Sequence, residues 1–183
     1  SETRFLLTSE ISCIYSHKGK GRRVHIFVYL PDFSDVEKFN SRLTSMGANL
    51  FSDGRPMMGL SLKRVTQIAL NVDPQVILIP AHAWTPWFGL YGQNSGYDSL
   101  EEAFGNLAKY IPAVETGLSS DPAMNWRMAE LTNRSIVSFS DAHSPAKIGR
   151  EATIFEVDEI TFENIRKLNI AYTIEFYPEE GKY

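Results

Sequence analysis

Val76-Ile77-Leu78-Ile79-Pro80 is an unbroken apolar run, and Ala81-His82 follows it directly. A strand without polar alternation is expected where both faces of its sheet are covered, as in parallel sheets flanked by helices. Upstream, Ser61 to Ala69 places Leu62, Val65, Ile68 and Ala69 on one stripe behind a Ser61 cap, which predicts a helix. Ser52-Asp53-Gly54-Arg55-Pro56 before it is a turn cluster. Asp32 to Met46 also reads helically, with Ser34 as N-cap, Glu37 three residues on, and Val36, Phe39 and Leu43 on one face. Val24 to Leu30 is rich in β-branched and aromatic residues and closes at Pro31, a buried strand. Phe5 to Thr8 reads as a short strand and Ser12 to Tyr15 as a second extended piece. The glycine-bearing basic segment from His17 to Arg23 reads as a hairpin tip.

Downstream, the pattern repeats. A Ser99-capped helix spans Asp98 to Ala108, and Pro112 to Glu115 is a short strand. Pro122 opens a helix to Leu131, and Ser135 to Ser140 is a strand. Ala152 to Glu156, Thr161 to Leu168 and Tyr172 to Glu175 read as strand, helix and strand. This alternation predicts an α/β class, mostly parallel strands with outer helices, in one domain over residues 1–183.

Composition bounds the function. The 183 residues are 43% hydrophobic and 12% aromatic, enough for one core and against disorder. A formal charge of −4 excludes a strongly basic nucleic-acid-binding domain, though not a local basic patch. The single cysteine, Cys13, excludes an internal disulfide. The amino end lacks a signal-peptide layout and no apolar run reaches about 18 residues, so the expectation is a cytoplasmic chain without a membrane partner.

Four histidines exist, and two of them fall beyond strand ends, where α/β folds place chemistry. His82 follows the Val76–Pro80 strand, and Asp141 and His143 follow the Ser135–Ser140 strand. Glu10 follows Phe5 to Thr8. His25 lies near the start of its strand, so it reaches the same end only if that strand runs antiparallel. Histidines with carboxylates suit Zn²⁺, Mn²⁺ or Fe²⁺, and paired metals hydrolyse phosphate esters. Asp-x-His sets two ligands on one side of an extended chain. Each residue alone reads as readily as structural: His82 as a core histidine, Asp141 as a cap, Glu10 as an arginine partner. Together they favour a metal site.

Thr8-Ser9-Glu10, Val24-His25-Ile26, Pro80-Ala81-His82-Ala83 and Ser140-Asp141-Ala142-His143-Ser144 resemble, in order, the later metal motifs of the PHP (polymerase and histidinol phosphatase) superfamily. Longer stretches are similar to its endonuclease Q branch: Arg4 to Glu10, Asp53 to Pro56, Pro80 to Trp87 with Leu90-Tyr91, Glu115 to Asp121, Ser140 to Pro145 with Gly149-Arg150-Glu151, and Phe176 to Tyr183. The resemblance covers the whole chain. It implies a partial, distorted (β/α)7 barrel and a metal-dependent endonuclease that nicks damaged DNA on the 5′ side of deaminated bases or abasic sites. It also implies Glu10, His25, His82, Asp141 and His143 as metal ligands, with Glu10 bridging, and Glu10, Asp141 and His143 as catalytic residues. The cofactors implied are Zn²⁺, Mn²⁺ or Mg²⁺ ions, two or three in the intact family site and one at Glu10, His25 and His82 here. The family's first motif, His-x-His, and its cysteine-rich zinc module have no counterpart in the chain, which implies an interior fragment. Two other readings stand beside this one: a PHP phosphatase for a small phosphomonoester, and a non-catalytic DNA-binding or assembly barrel.

Trp84, Trp87, Phe88 and Tyr91 crowd the loop after His82. Trp84, Trp87 and Tyr91 are candidates for stacking against a displaced base, with an aromatic roof over the core as the alternative. Lys18, Lys20, Arg22 and Arg23 form a positive patch suited to phosphate or to a solvated hairpin tip, and His17 beside them reads as solvated. Arg150 is the candidate phosphate clamp.

Overall fold

The computed structural model describes residues 3–51 and 55–176. Residues 52–54 of the expected turn and 177–183 of the closing motif lie outside the described residues. Strands β1 (Leu7–His17) and β2 (Lys20–Leu30) form a continuous antiparallel hairpin. Its two-residue turn, Lys18-Gly19, has φ of 49° and 76°, the doubly left-handed geometry that matches strand twist and for which glycine is suited. The two extended pieces expected before the basic segment are therefore one strand, and Glu10 lies within it rather than beyond its end.

Helix α1 (Phe33–Ser45) follows, then β3 (Met57–Met58), α2 (Leu62–Val72) and β4 (Ile77–Pro80). The first sheet has the order β3-β1-β2-β4. β1–β2 and β2–β4 are antiparallel, and only the short β1–β3 pairing is parallel. A second sheet pairs β5 (Ala113–Glu115) and β6 (Ser135–Val137) in parallel, and β4 packs beside β5. A third pairs β7 (Ala152–Phe155) with β8 (Ile170–Ile174) antiparallel. The class is mixed α/β. The strands are not mostly parallel, because the direct hairpin turn leaves no room for the crossover that parallel neighbours need. No closed barrel forms among the described residues.

The remaining helices are shorter than the periodicity suggests. α3 (Leu100–Phe104) passes at Gly105, with φ of 59°, into a 3-10 segment, Gly105–Tyr110. α4 (Pro122–Asn125) ends after one turn, where the Asn125 side chain folds back onto the Asp121 carbonyl. α5 is Phe162–Arg166. Ser61, Ser99 and Thr161 cap α2, α3 and α5 through N–H groups three residues ahead. α1 is capped by Asp32, not Ser34: the Asp32 carboxylate accepts from the Asp35 N–H, which leaves Ser34 inside the first turn.

Strand alternation sorts two cores. Ile11 and Cys13 of β1 and Val24, Ile26, Val28 and Leu30 of β2 pack with Phe39 and Leu43 of α1 and Leu62, Val65 and Ile68 of α2. β4 serves both sides: Leu78 joins this core, while Ile77 and Ile79 join a smaller one with Ala113, Val137 and Phe162. That division accounts for the absence of polar residues in the β4 run. Phe27 and Tyr29 line the second core, so Glu10, Ser12 and His25, which share their side of the hairpin, lie on that face also.

Candidate metal centre

The hairpin register sets Glu10 opposite Phe27 and His25 opposite Ser12, so Glu10 and His25 meet diagonally on one face. β4 runs antiparallel to β2 with Pro80 opposite Ile26, and the Ala81 N–H bonds to the His25 carbonyl. The residue after Ala81 is His82, which the pairing delivers to the same level. Glu10 Oε1 lies 2.7 Å from His25 Nδ1 and 3.4 Å from His82 Nε2, and the two histidine nitrogens are 3.0 Å apart. Among the described residues these three form a group of metal-capable side chains whose ligand atoms all lie within 4.8 Å, and it could hold a metal ion. The Glu10–His82 separation is close to the edge, about 3.3–3.6 Å, of a tetrahedron with ligand bonds of about 2.0–2.2 Å, and the other two are shorter. His25 reaches this position as the hairpin reading anticipates.

Hydrogen bonding fixes the donor atoms. The Thr85 hydroxyl donates to the His82 carbonyl at 2.9 Å, so toward His82 Nδ1, also at 2.9 Å, it accepts. Nδ1 therefore carries the proton, and the Nε2 lone pair faces Glu10 and His25. His25 stacks on Phe88 at 4.5 Å between centroids, and its N–H bonds to the Phe88 carbonyl at 2.9 Å. Burial pushes the His25 pKa down, against the pull of Glu10, and favours the neutral ligand form. Burial opposes ionisation of Glu10, but the neighbouring imidazoles of His25 and His82 outweigh it and hold the carboxyl well below the usual range.

Three residues outside the expected site residues complete the surroundings of this group. Arg55 Nη1 stands 3.0 Å from Glu10 Oε1 and 2.9 Å from His25 Nδ1. Fully buried Glu115, at the end of β5, accepts the His82 N–H at Oε2 at 2.5 Å, while its carbonyl accepts the Ala83 N–H at 2.9 Å. His82 needs this grip because its φ of 31° is a left-handed conformation unusual for histidine. Gly117 closes the cradle, since a Cβ there would lie 2.4 Å from His82 Cβ. The carboxylate at the β5 end was the available signal for Glu115; Arg55 is spatially adjacent only through the β1–β3 pairing.

Asp141 and His143 are not gathered into this group. Asp141 lies in a left-handed turn with φ of 44°, and its charge helps raise the pKa of Glu115, so it faces the same region. His143 is exposed and donates from Nδ1 to the Asp141 carbonyl at 2.9 Å. Arg150 donates from Nε to the Ser140 carbonyl at 2.8 Å and from Nη2 to that of Asp141 at 3.2 Å, so it braces this turn.

The aromatic loop divides. Trp84 and Tyr91 lie together at 5.0 Å between centroids, with the indole N–H on Asn125 and the Tyr91 hydroxyl on Glu130. They form the roof over the core, as the alternative reading had it. Trp87 is exposed, with the Arg23 guanidinium 5.3 Å from its ring centroid. The basic patch is smaller than its sequence suggests: Arg22 is buried against Tyr97 and paired with Glu102 at 2.9 Å. His17 is half-buried with its ring edge-on to Tyr97, not solvated, because β1 extends that far.

No family model matches the chain. It is 32% identical to the uncharacterized protein YqxK of Bacillus subtilis, over 99% of this chain and 46% of that protein. It is 34% identical to the uncharacterized protein MJ0043 of Methanocaldococcus jannaschii, over 56% of this chain and 14% of that one. The crystal structure of the lesion-specific endonuclease PfuEndoQ from Pyrococcus furiosus matches with a TM-score of 0.80 and 32% identity, over 96% of this chain and 43% of that chain. Endonuclease Q in complex with a 27-mer duplex bearing an abasic lesion at the active site matches with a TM-score of 0.74 and 35% identity, over 87% and 38%. The chain thus spans less than half the length of each relative it matches. No helix among the described residues is long and apolar enough to cross a membrane. In fold and in sequence the chain is related to endonuclease Q across nearly its whole length.

Proposed function

We propose that the chain is the PHP-type, metal-binding portion of an endonuclease that nicks DNA 5′ of deaminated bases or abasic sites, with 1–183 acting as one metallohydrolase domain. The carrying observation is the Glu10–His25–His82 cluster, its lone pairs convergent and its second contacts in place, within a fold that matches an endonuclease Q bound to abasic duplex. A divalent ion, Zn²⁺, Mn²⁺ or Mg²⁺, would polarise the scissile phosphate and supply the attacking water. Glu10, His25 and His82 hold one ion. Asp141 and His143, on the strained turn braced by Arg150, serve as further ligands and catalytic residues. Thr85 keeps His82 in its ligand tautomer, and Phe88 keeps water from the far face of His25. Exposed Trp87 stacks on a displaced base.

Metal content after incubation with Mn²⁺ or Zn²⁺, followed by nicking assays on uracil, hypoxanthine, abasic and undamaged duplexes, tests this reading. Metal uptake with nicking confined to damaged duplexes, and its loss in Asp141→Asn, is expected. Less than about a tenth of an equivalent of metal, against the tight binding of such donor sets, would sink the metal site. Equal nicking of undamaged duplex would remove the lesion specificity.

A further inference from the structure

We propose that Arg55 is the anion-binding residue of this centre, taking a phosphate oxygen of the substrate between its guanidinium and the metal position; the inference rests on the metal-site reading above. Arg55 Nη1 lies within 3.0 Å of Glu10 Oε1 and 2.9 Å of His25 Nδ1, beside a trio of donors themselves only 2.7–3.4 Å apart. Its nitrogen therefore stands beside two of the three candidate ligand atoms, Glu10 Oε1 and His25 Nδ1. A catalytic metal site keeps one position open for water or substrate. Arginine, a donor with no lone pair to offer, cannot itself be a ligand. Beside such a site it can receive a negatively charged oxygen.

The rest of the guanidinium is arranged for such a guest. Among the described residues Nε and Nη2 of Arg55 have no hydrogen-bond partner, and the side chain is 34% exposed. Two donor edges of the fork are thus open toward solvent, the geometry that binds phosphate in bidentate fashion. Other arginines around the fold turn most of their donors to the protein itself, although Nε of buried Arg22 has no partner among the described residues. Arg150 serves the carbonyls of Ser140 and Asp141, Arg22 serves Gly96 and Glu102, and Arg134 serves Ile111, Glu130 and Ala108.

The main chain places Arg55 firmly. The Pro56 carbonyl accepts from the Ser12 N–H at 2.9 Å, and β3 begins at the next residue, paired to β1 at Ser12 and Cys13. The guanidinium thus starts one residue from the same strand that carries Glu10. With an ion between Glu10, His25 and His82, two cations would adjoin. Glu10 relieves part of their repulsion and a bound anion between them relieves more, so anion and metal bind cooperatively through Arg55.

Free Mn²⁺ is measured by its electron paramagnetic resonance signal during titration of the chain, with and without millimolar inorganic phosphate. In the wild type, phosphate should tighten Mn²⁺ binding about tenfold, the scale of a charge-assisted hydrogen bond to a charged group. Arg55→Gln should bind Mn²⁺ more tightly than wild type without phosphate and show almost no phosphate effect. Arg55→Lys, which keeps the charge and loses the fork, should retain part of it. An undiminished phosphate effect in Arg55→Gln would overturn the assignment while leaving the metal site intact. Absence of Mn²⁺ binding by the wild type, seen before phosphate is added, would overturn the metal site and this assignment with it.

Discussion

The carboxyl of Glu115 holds the backbone N–H of His82 at 2.5 Å, and through this bond a buried acid at the end of β5 sets the direction of a histidine just past the end of β4. Neither residue is a sequence neighbour of the other. Removing the acceptor leaves a buried N–H unpaired on a strained residue. Glu115→Ala should lose about 1–3 kcal/mol in urea unfolding, with Mn²⁺ binding weakened alongside, whereas Glu115→Gln keeps an acceptor and should approach wild type near pH 5. Equal stability of the alanine variant would show that water or main chain replaces the carboxylate.

The same residue predicts a pH dependence. Burial raises the folded-state pKa of Glu115 well above its ordinary 4.5, with Asp141, Glu10 and Glu151 adding to it and the His82 N–H opposing. The folded chain therefore keeps a proton that the unfolded chain releases, so this contribution is complete below pH 4.5 and is lost as pH rises from there through the folded value. Glutamine cannot titrate. The stability of Glu115→Gln relative to wild type should rise with pH across that window in parallel denaturation series, and a flat difference would refute the raised pKa.

Gly117 tests the cradle from below. It has φ of 56°, and an added Cβ would meet His82 Cβ at 2.4 Å and Cα at 2.6 Å. Gly117→Ala should cost about 2 kcal/mol or more and displace His82. Isothermal titration should then show weaker metal binding than in the refolded wild type. Unchanged affinity would mean that His82 tolerates the shift.

Arg150 braces a turn through the carbonyls of Ser140 and Asp141. Arg150→Ala should cost only about 1 kcal/mol in stability, since both carbonyls it serves can turn to water. It should reduce nicking of abasic duplex far more than it reduces duplex affinity. If affinity falls and turnover at saturation holds, Arg150 contacts DNA after all.

Trp87 is half exposed, with the Arg23 guanidinium 5.3 Å from its ring centroid. Trp87→Ala should leave the melting midpoint nearly unchanged, as surface substitutions do. Fluorescence anisotropy should show abasic duplex binding weakened by about 1–3 kcal/mol, the worth of one base–aromatic stack. Trp84→Ala should show the reverse, lower stability first, because its indole lies against Tyr91 and donates to Asn125.

Cys13 is fully buried, and burial raises its thiol to about 12. The folded protein should resist a thiol-reactive dye at pH 8 and react promptly in denaturant. Fast labelling of the native chain would show that β1 opens locally.

What could be read from the sequence was what short-range chemistry decides. The caps at Ser61 and Ser99, the basic hairpin tip and the two-sided burial of β4 each follow from a few adjacent residues. Glu10, His25 and His82 were legible as a group because each sits on or beside an apolar strand. Strand direction was not, because a continuous apolar run is the same whether its neighbour is parallel or antiparallel. Arg55 and Glu115 acquire their roles only through pairing between distant strands. Arg150 and Tyr91 carry the right functional groups but turn them toward carbonyls and toward Glu130, an orientation that residue type cannot encode.

The β1–β2 register has one more consequence. Side chains alternate along a strand, so a slip of one residue would send Glu10 to the helix-covered face while His25 stayed where it is. An ion at this site would therefore act as a proofreader of the hairpin. It binds the correctly aligned ladder and ignores the slipped one, which adds RT ln(1 + [L]/Kd) to the native alignment alone. Supplying the ion during refolding should then raise the yield of correctly paired chains, and not merely the melting point of those already folded.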